Sequence, residues 1–168
     1  MTETRWLSGP EQQVWRSFLC ACQSLFSACE AQLQRDAGMP LAYYEILVRL
    51  SEAPNRQLRM SQLAEATSAS KSRASHAVAR LEERGWVERL NCPSDRRGQI
   101  AQLTDAGFAA LTAAAPGHVE QVRTSLFDPL SEEQLHQLRA ITEAITAAAT
   151  DPPAGGCPGG MAACGDPD

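Results

Sequence analysis

The amino-acid sequence predicts a mainly α chain with one small β-hairpin, an α+β arrangement, on three observations. Apolar residues recur at steps of three and four over long stretches near both ends, the period switches to two between Trp86 and Leu103, and Gly or Pro punctuates the changes of pattern. With 168 residues, 43% of them hydrophobic and 21% charged, the chain has material for one ordinary core rather than a disordered or fibrous segment.

Pro10-Glu11 opens the first helix, with proline in the first turn and an acid near the positive end of the dipole. The helix is expected to run to about Arg35, with Trp15, Phe18, Cys22, Leu25 and Cys29 along one stripe and Leu19, Phe26 and Leu33 widening it. Gly38 and Pro40 stop it, and Leu41–Glu52 forms a second helix offering Leu41, Tyr44, Leu47, Val48 and Leu50 to a core before Pro54 ends it. A short extended piece over Gln57–Met60 leads to Ser61, which suits an N-cap, and the next helix, Ser61–Thr67, is barely two turns long. After a polar break at Ser68-Ala69-Ser70, Lys71–Arg84 forms a further helix with Ala74, Ala77, Val78 and Leu81 inward, and Gly85 fits the left-handed position that ends it. Two helices joined by a tight polar turn make a helix-turn-helix.

Trp86–Leu90 and Gln99–Leu103 then alternate as strands around the basic loop Cys92–Gly98, so a hairpin with a charged tip follows the motif directly, which is the winged arrangement. A long Ala-rich segment starts at Thr104, is expected to be interrupted or kinked near Pro116-Gly117, and continues through Phe127. Ser131-Glu132-Glu133-Gln134 offers a capping box for the last helix, whose Leu135, Leu138, Ile141 and Ile145 form a stripe. The Gly/Pro-rich segment from Asp151 onward is expected to be a disordered tail.

The net charge is -5, but its distribution matters more than its sum for an anionic partner. From Arg56 to Arg97 there are nine Lys or Arg against five Asp or Glu, net +4, which leaves six against fifteen, net -9, in the rest of the chain. A basic centre between acidic arms points to one anionic contact surface. Every hydrophobic stretch is broken by Arg, Glu or Gln well short of the roughly 18 to 20 residues that cross a bilayer. The first residues show no basic patch followed by an apolar segment, so the expectation is a cytoplasmic protein with no membrane partner and its six cysteines reduced.

The segments MSQLAEAT at 60–67, LEERGWVERL at 81–90, SDRRGQIAQLTDAG at 94–107 and SEEQLHQLRAI at 131–141 resemble the MarR family of transcriptional regulators. The resemblance extends from Trp15 to Ala149, and its most specific part is Asp95 and Arg97 followed by Leu103-Thr104 and Gly107. It implies a winged helix-turn-helix homodimer, with first and last helices interleaved and two lobes set to meet successive major grooves of duplex DNA. The resulting division is an arm over 1–9, scaffold and dimerisation helices over 10–54, the DNA-binding lobe over 55–104, C-terminal dimerisation helices over 105–150 and the tail over 151–168.

The resemblance places the helix from Lys71 in the major groove, so that Ser70, Lys71, Ser72, Arg73, Ser75, His76 and Arg80 are the expected DNA contacts, Arg73 being suited to a bidentate contact with guanine. Arg96 and Arg97 at the wing suit a narrow minor groove, with Asp95 holding Arg97 by a charge-assisted hydrogen bond. The resemblance also implies a small-molecule effector, for which Arg16, Tyr43, Tyr44 and His118 are candidate ligands, and a repressor released when it binds. Cys22 and Cys29 fall on the apolar stripe as small hydrophobes, whereas Cys20 lies off it and is the candidate redox thiol. His76, His118 and His136 lack metal-site spacing, Cys157 and Cys164 are a weak metal or disulfide signal, and no cofactor is expected. No nucleophile with its base, phosphate loop or metal cluster marks an enzyme. The alternatives are a winged-helix module for protein contact without DNA, and a thiol-based redox-sensing regulator.

Overall fold

A computed structural model describes residues 4–92 and 95–149, with the backbone alone for Cys92 and for 95–97. The elements run α1 (Gly9–Ala37), α2 (Leu41–Glu52), a 3-10 turn (Pro54–Arg56), β1 (Gln57–Arg59), α3 (Met60–Ala66), α4 (Lys71–Glu83), β2 (Val87–Cys92), β3 (Asp95–Leu103), α5 (Asp105–Val122), a π turn (Arg123–Phe127) and α6 (Glu132–Ala149). The mainly helical, winged helix-turn-helix expectation holds.

The first helix begins slightly earlier than Pro10. Ser8 is its N-cap and forms a capping box with Glu11, whose carboxylate accepts from the Ser8 N–H at 2.7 Å; these bonds hold the Glu11 carboxyl below its ordinary range. At the other end Gly38, at φ +60°, supplies the left-handed cap. α3 starts at Met60, so Ser61 is not its N-cap: Gln62 reaches back instead, its Oε1 accepting from the Arg59 N–H at 3.1 Å. α5 runs uninterrupted through Pro116, and the irregularity comes later, where Asp128 N–H donates to the Arg123 carbonyl and closes the π turn.

The hairpin is part of a larger sheet. β1 adds to β3, giving three antiparallel strands in the order β1-β3-β2, with Leu58 opposite Ala101 and Val87 opposite Leu103. A side-chain bond from Gln57 Nε2 to Gln102 Oε1 at 2.8 Å reinforces the added strand. The register shifts between Asn91 and Cys92 as the wing narrows.

One core lies between α2, α3, α4, the sheet and α5. Leu47, Leu50, Leu63, Val78, Leu81 and Ala101 are fully buried there, and Leu33 from the end of α1 joins them. The Thr104-Ala106-Gly107 corner ties this lobe to α5. Thr104 Oγ1 accepts from the Gly107 N–H at 3.0 Å and donates to the Gly85 carbonyl at 2.7 Å, while its own N–H donates to the Trp86 carbonyl at 3.0 Å. A Cβ at Gly107 would collide with that same Trp86 carbonyl, which explains why the chain has glycine where α5 starts.

The two terminal helices are different. Within α1 only Cys29, Gln32 and Leu33 are buried, all in its last third, and α6 has no buried residue. Val14, Trp15, Phe18, Leu19 and Phe26 on α1, and Ile141 and Ile145 on α6, are exposed in the single chain.

Candidate nucleic-acid interface

α4 is built to present one polar face. Ser70 caps it, its Oγ accepting from the Arg73 N–H at 3.3 Å and lying 3.1 Å from Ser72 Oγ, so the first turn has a satisfied donor and a cluster of hydroxyls. Ala74, Val78 and Leu81 are buried against the core. At about 100° per residue, Ser72 and His76 fall opposite that buried stripe, Arg73 and Arg80 on the flank toward α2, and Lys71 and Ser75 on the flank toward the wing. Ser70, Lys71, Ser72, Arg73, Ser75, His76 and Arg80 are all exposed, so the seven helix residues expected from the sequence lie on one accessible surface.

Three of them have further surroundings. Arg73 and His76 border an open cleft of about 600 Å³ whose other wall is Tyr43, Glu45 and Ile46 of α2. Arg80 pairs with Glu83 one turn along the helix, Nη1 to Oε2 at 2.8 Å, an exposed ion pair worth at most about 1 kcal/mol. The side chains of Asp95, Arg96 and Arg97 lie outside the described residues.

Three arginines hold this lobe together and were not singled out by sequence. Arg89 on β2 donates from Nη2 to the Ser75 carbonyl at 2.6 Å and to Ser75 Oγ at 3.4 Å, and its Nε is 3.3 Å from Glu82 Oε2. Strand alternation carries the signal for it: Arg89 shares the inward face with buried Val87, so a charged residue there must find a partner in α4. Arg84, just past α4, donates to the Gly38 carbonyl at 3.1 Å and lies against the rings of Trp86 and Tyr43, with its guanidinium carbon 4.9 and 5.8 Å from their centroids. Arg56, at a strained φ of +55°, is pinned by Asp105 at 3.1 Å and by the Phe108 ring at 4.0 Å.

The expected ligand residues do not form one group within the chain. Tyr44 and His118 meet, with ring centroids 4.5 Å apart. Tyr43 turns instead toward Arg84 and the cleft. Arg16 is exposed, bonded to Gln12 at 3.5 Å, and lies on α1 sixteen residues before Gln32, or about 24 Å at the rise of a helix. Helix length sets Arg16 apart within the chain: a straight rod cannot return its third turn to the core its last turn enters. The residue that does come near is Gln32, packed against Gly117, where a Cβ would lie 2.9 Å from its Nε2. Gln32 Oε1 and His118 Nδ1 are buried and find no hydrogen-bond partner among the described residues. Burial also pushes the His118 imidazole below its ordinary pKa and the Cys29 thiol above its own. Cys20 is exposed on α1, Cys22 half-buried.

Residues 37–98, which contain α2 to the wing, match the model of the MarR family. The crystal structure of Sco3205, a MarR family transcriptional regulator from Streptomyces coelicolor in complex with DNA, is 51% identical and superposes with a TM-score of 0.84 over 89% of this chain and 93% of that one. The chain belongs to the MarR family. Within this family of transcriptional regulators it is also similar to the HTH-type transcriptional regulator PecS of Dickeya dadantii, at 38% identity over 48% of this chain and only 48% of PecS, so the match spans about half the length of that relative. Similarity to the transcriptional repressor MprA of Escherichia coli K12 is 28% over 81% of this chain and 77% of MprA.

Proposed function

We propose that this MarR family member is a DNA-binding repressor, not an enzyme, that acts as a homodimer on an inverted-repeat operator. The observation that carries it is the exposed face of α4, where Ser72 and His76 crown a helix flanked by Lys71 and Arg73, in the basic centre of an otherwise acidic chain. Likeness to Sco3205, described in complex with DNA, and to a protein named a repressor supports the assignment. The recognition helix α4 enters the major groove through Ser70, Lys71, Ser72, Arg73, Ser75, His76 and Arg80, while Arg96 and Arg97, steadied by Asp95, take the minor groove.

The exposed Val14, Trp15, Phe18, Leu19 and Phe26 of α1 and Ile141 and Ile145 of α6 support the dimer, since two helix faces with so many large apolar side chains are rarely left to water. A twofold arrangement brings two lobes over 55–104 to half-sites about 34 Å apart, with the helices of 10–54 and 105–150 holding them. A small-molecule effector fits the junction of α1, α2 and α5, where Tyr44, His118 and Gln32 offer ring surface and two buried polar atoms in need of partners. Among the described residues no helix is long and apolar enough to cross a membrane, in keeping with a cytoplasmic regulator.

The test is binding to DNA flanking the chain's own gene, titrated at several salt concentrations with unrelated duplex as competitor. Operator binding that resists the competitor and weakens steeply with salt is expected. Equal, salt-insensitive retention of both duplexes, or none, overturns the proposal in favour of a protein-contact module.

A further inference from the structure

We propose that Arg89 is a positioning residue for DNA contact, presenting the Ser75 hydroxyl of α4 as a donor to a backbone phosphate; this rests on the DNA-binding reading above. Arg89 is on strand β2 and Ser75 is on α4, so the bond between them is a direct polar tie between the wing strands and the recognition helix. The guanidinium forks: Nη2 reaches the Ser75 carbonyl at 2.6 Å and its Oγ at 3.4 Å, while Nε stands 3.3 Å from the Glu82 carboxylate two turns further along the same helix. Both charged side chains are largely covered, at 22% and 31% exposure, and the Arg89 guanidinium is engaged by Ser75 and Glu82.

A serine inside a helix commonly turns its hydroxyl back onto the carbonyl of the preceding turn, which removes it as a donor to anything outside. Here the guanidinium N–H faces the Ser75 oxygen, which accepts on that side, and among the described residues the hydroxyl makes no bond back to the preceding turn, so its proton is free to be donated outward. A hydroxyl donor beside a fixed positive charge favours an anionic acceptor. Its place on the helix decides which anion. Ser72 and His76 occupy the apex that faces the floor of a groove, whereas Ser75 lies on the flank nearest the wing, where the sugar-phosphate wall runs, and contacts to that wall set register without reading sequence.

The experiment is a double-mutant cycle with Ser75→Ala, Arg89→Met and the pair, measured on operator and on unrelated duplex across a salt series. It is run at a temperature where circular dichroism shows each protein fully folded. Each single variant is expected to weaken both duplexes by about the same factor, on the order of tenfold for the loss of a hydrogen bond to a charged group. The pair is expected to be no weaker than the worse single variant, the salt slope unchanged, and Ser75→Thr, which keeps the hydroxyl, to restore binding. Should Arg89→Met not fold, Arg89→Lys, which keeps the charge and loses the fork, takes its place in the cycle. Losses that add in the double variant, or a salt slope that falls by about one per subunit when Arg89 is replaced, would overturn the positioning role while leaving DNA binding intact. If wild type fails to bind duplex, both the DNA-binding reading and this one fall together.

Discussion

The lobe from α2 to β3 and the pair α1 and α6 are made of similar apolar sequence, yet they close in different ways. The lobe buries Leu47, Leu50, Leu63, Val78 and Leu81 within one chain. Along α1 the stripe from Val14 to Phe26 stays exposed, Trp15 and Phe18 stacking on each other with centroids 6.5 Å apart, and α6 buries none of its residues. Hydrophobic periodicity says which face of a helix must be covered, but not whether its own chain covers it. In this molecule the division falls inside a single helix: the last turns of α1, with Cys29, Gln32 and Leu33, belong to the lobe, while the turns before them keep their apolar stripe exposed.

The largest effect should come from breaking the intermolecular half. The double change Ile141→Glu with Ile145→Glu removes two exposed isoleucines per chain, four per dimer, at about 1.5 to 3 kcal/mol each if they are buried between copies. Sedimentation should then show monomers at concentrations where wild type is dimeric, with the lobe's helicity kept and operator binding lost. A stable dimer from this variant would mean that the α6 stripe faces water.

The lobe is tested by Leu81→Ala, which truncates a fully buried side chain in α4 and should cost about 2 to 5 kcal/mol of unfolding free energy. Chemical denaturation checks it. Gly107→Ala should fall in the same range or below: the added methyl meets the Trp86 carbonyl, and backbone must move to admit it. If either change leaves the denaturation midpoint where it was, the lobe is not the self-contained unit that its burial indicates.

At the border of the lobe, where α1 enters it, lies Arg84. Its bond to the Gly38 carbonyl and its packing on Tyr43 and Trp86 link the end of α4 to the end of α1. Replacement by Ala should cost about 1 to 2 kcal/mol, the sum of one hydrogen bond and a partly exposed cation–π contact, and thermal melting of the variant measures it. A larger loss in operator affinity than in stability would show that the link also sets how the two lobes are held.

Much of this was legible in the sequence because local chemistry agrees with the fold. Ser70 and Gly85 bracket α4, Thr104 and Gly107 open α5, and the inward Ala74, Val78 and Leu81 were read at helical spacing. What could not be read depends on partners distant in the chain. Gln57–Arg59 was expected to be extended, but its pairing with Ile100–Gln102 was not foreseen, because two three-residue segments of ordinary side chains carry no mutual signal. Ser61 suits an N-cap by residue type, but Gln62 reaches back to the Arg59 N–H and starts α3 at Met60. Arg16, Tyr43, Tyr44 and His118 were grouped by residue type; within the chain Tyr44 and His118 meet, Tyr43 turns toward Arg84, and the length of α1 sets Arg16 apart. Arg89 was missed although alternation with Val87 places it inward.

The smallest effect concerns where the two halves touch, at Tyr44, Gln32 and His118. Burial lowers the His118 pKa from its ordinary 6.5, because the charged imidazolium would lose water beside the Tyr44 ring and gains no acidic partner in exchange. The unfolded chain then takes up a proton before the folded one as pH falls. Folding stability from this group is therefore full above about pH 6.5 and declines below it, levelling off once the folded imidazole is also protonated. His118→Phe keeps a ring against Tyr44 and removes the proton site. Denaturation midpoints of wild type and variant measured between pH 8 and pH 5 should diverge only on the acidic side, wild type losing more. Because His118 is only half-buried, water screens much of the penalty, and the divergence should be smaller than any of the effects above. Parallel curves would show that the imidazole accepts its proton at no cost, and that the α1, α2 and α5 junction is open to water rather than sealed between the lobe and the dimer helices.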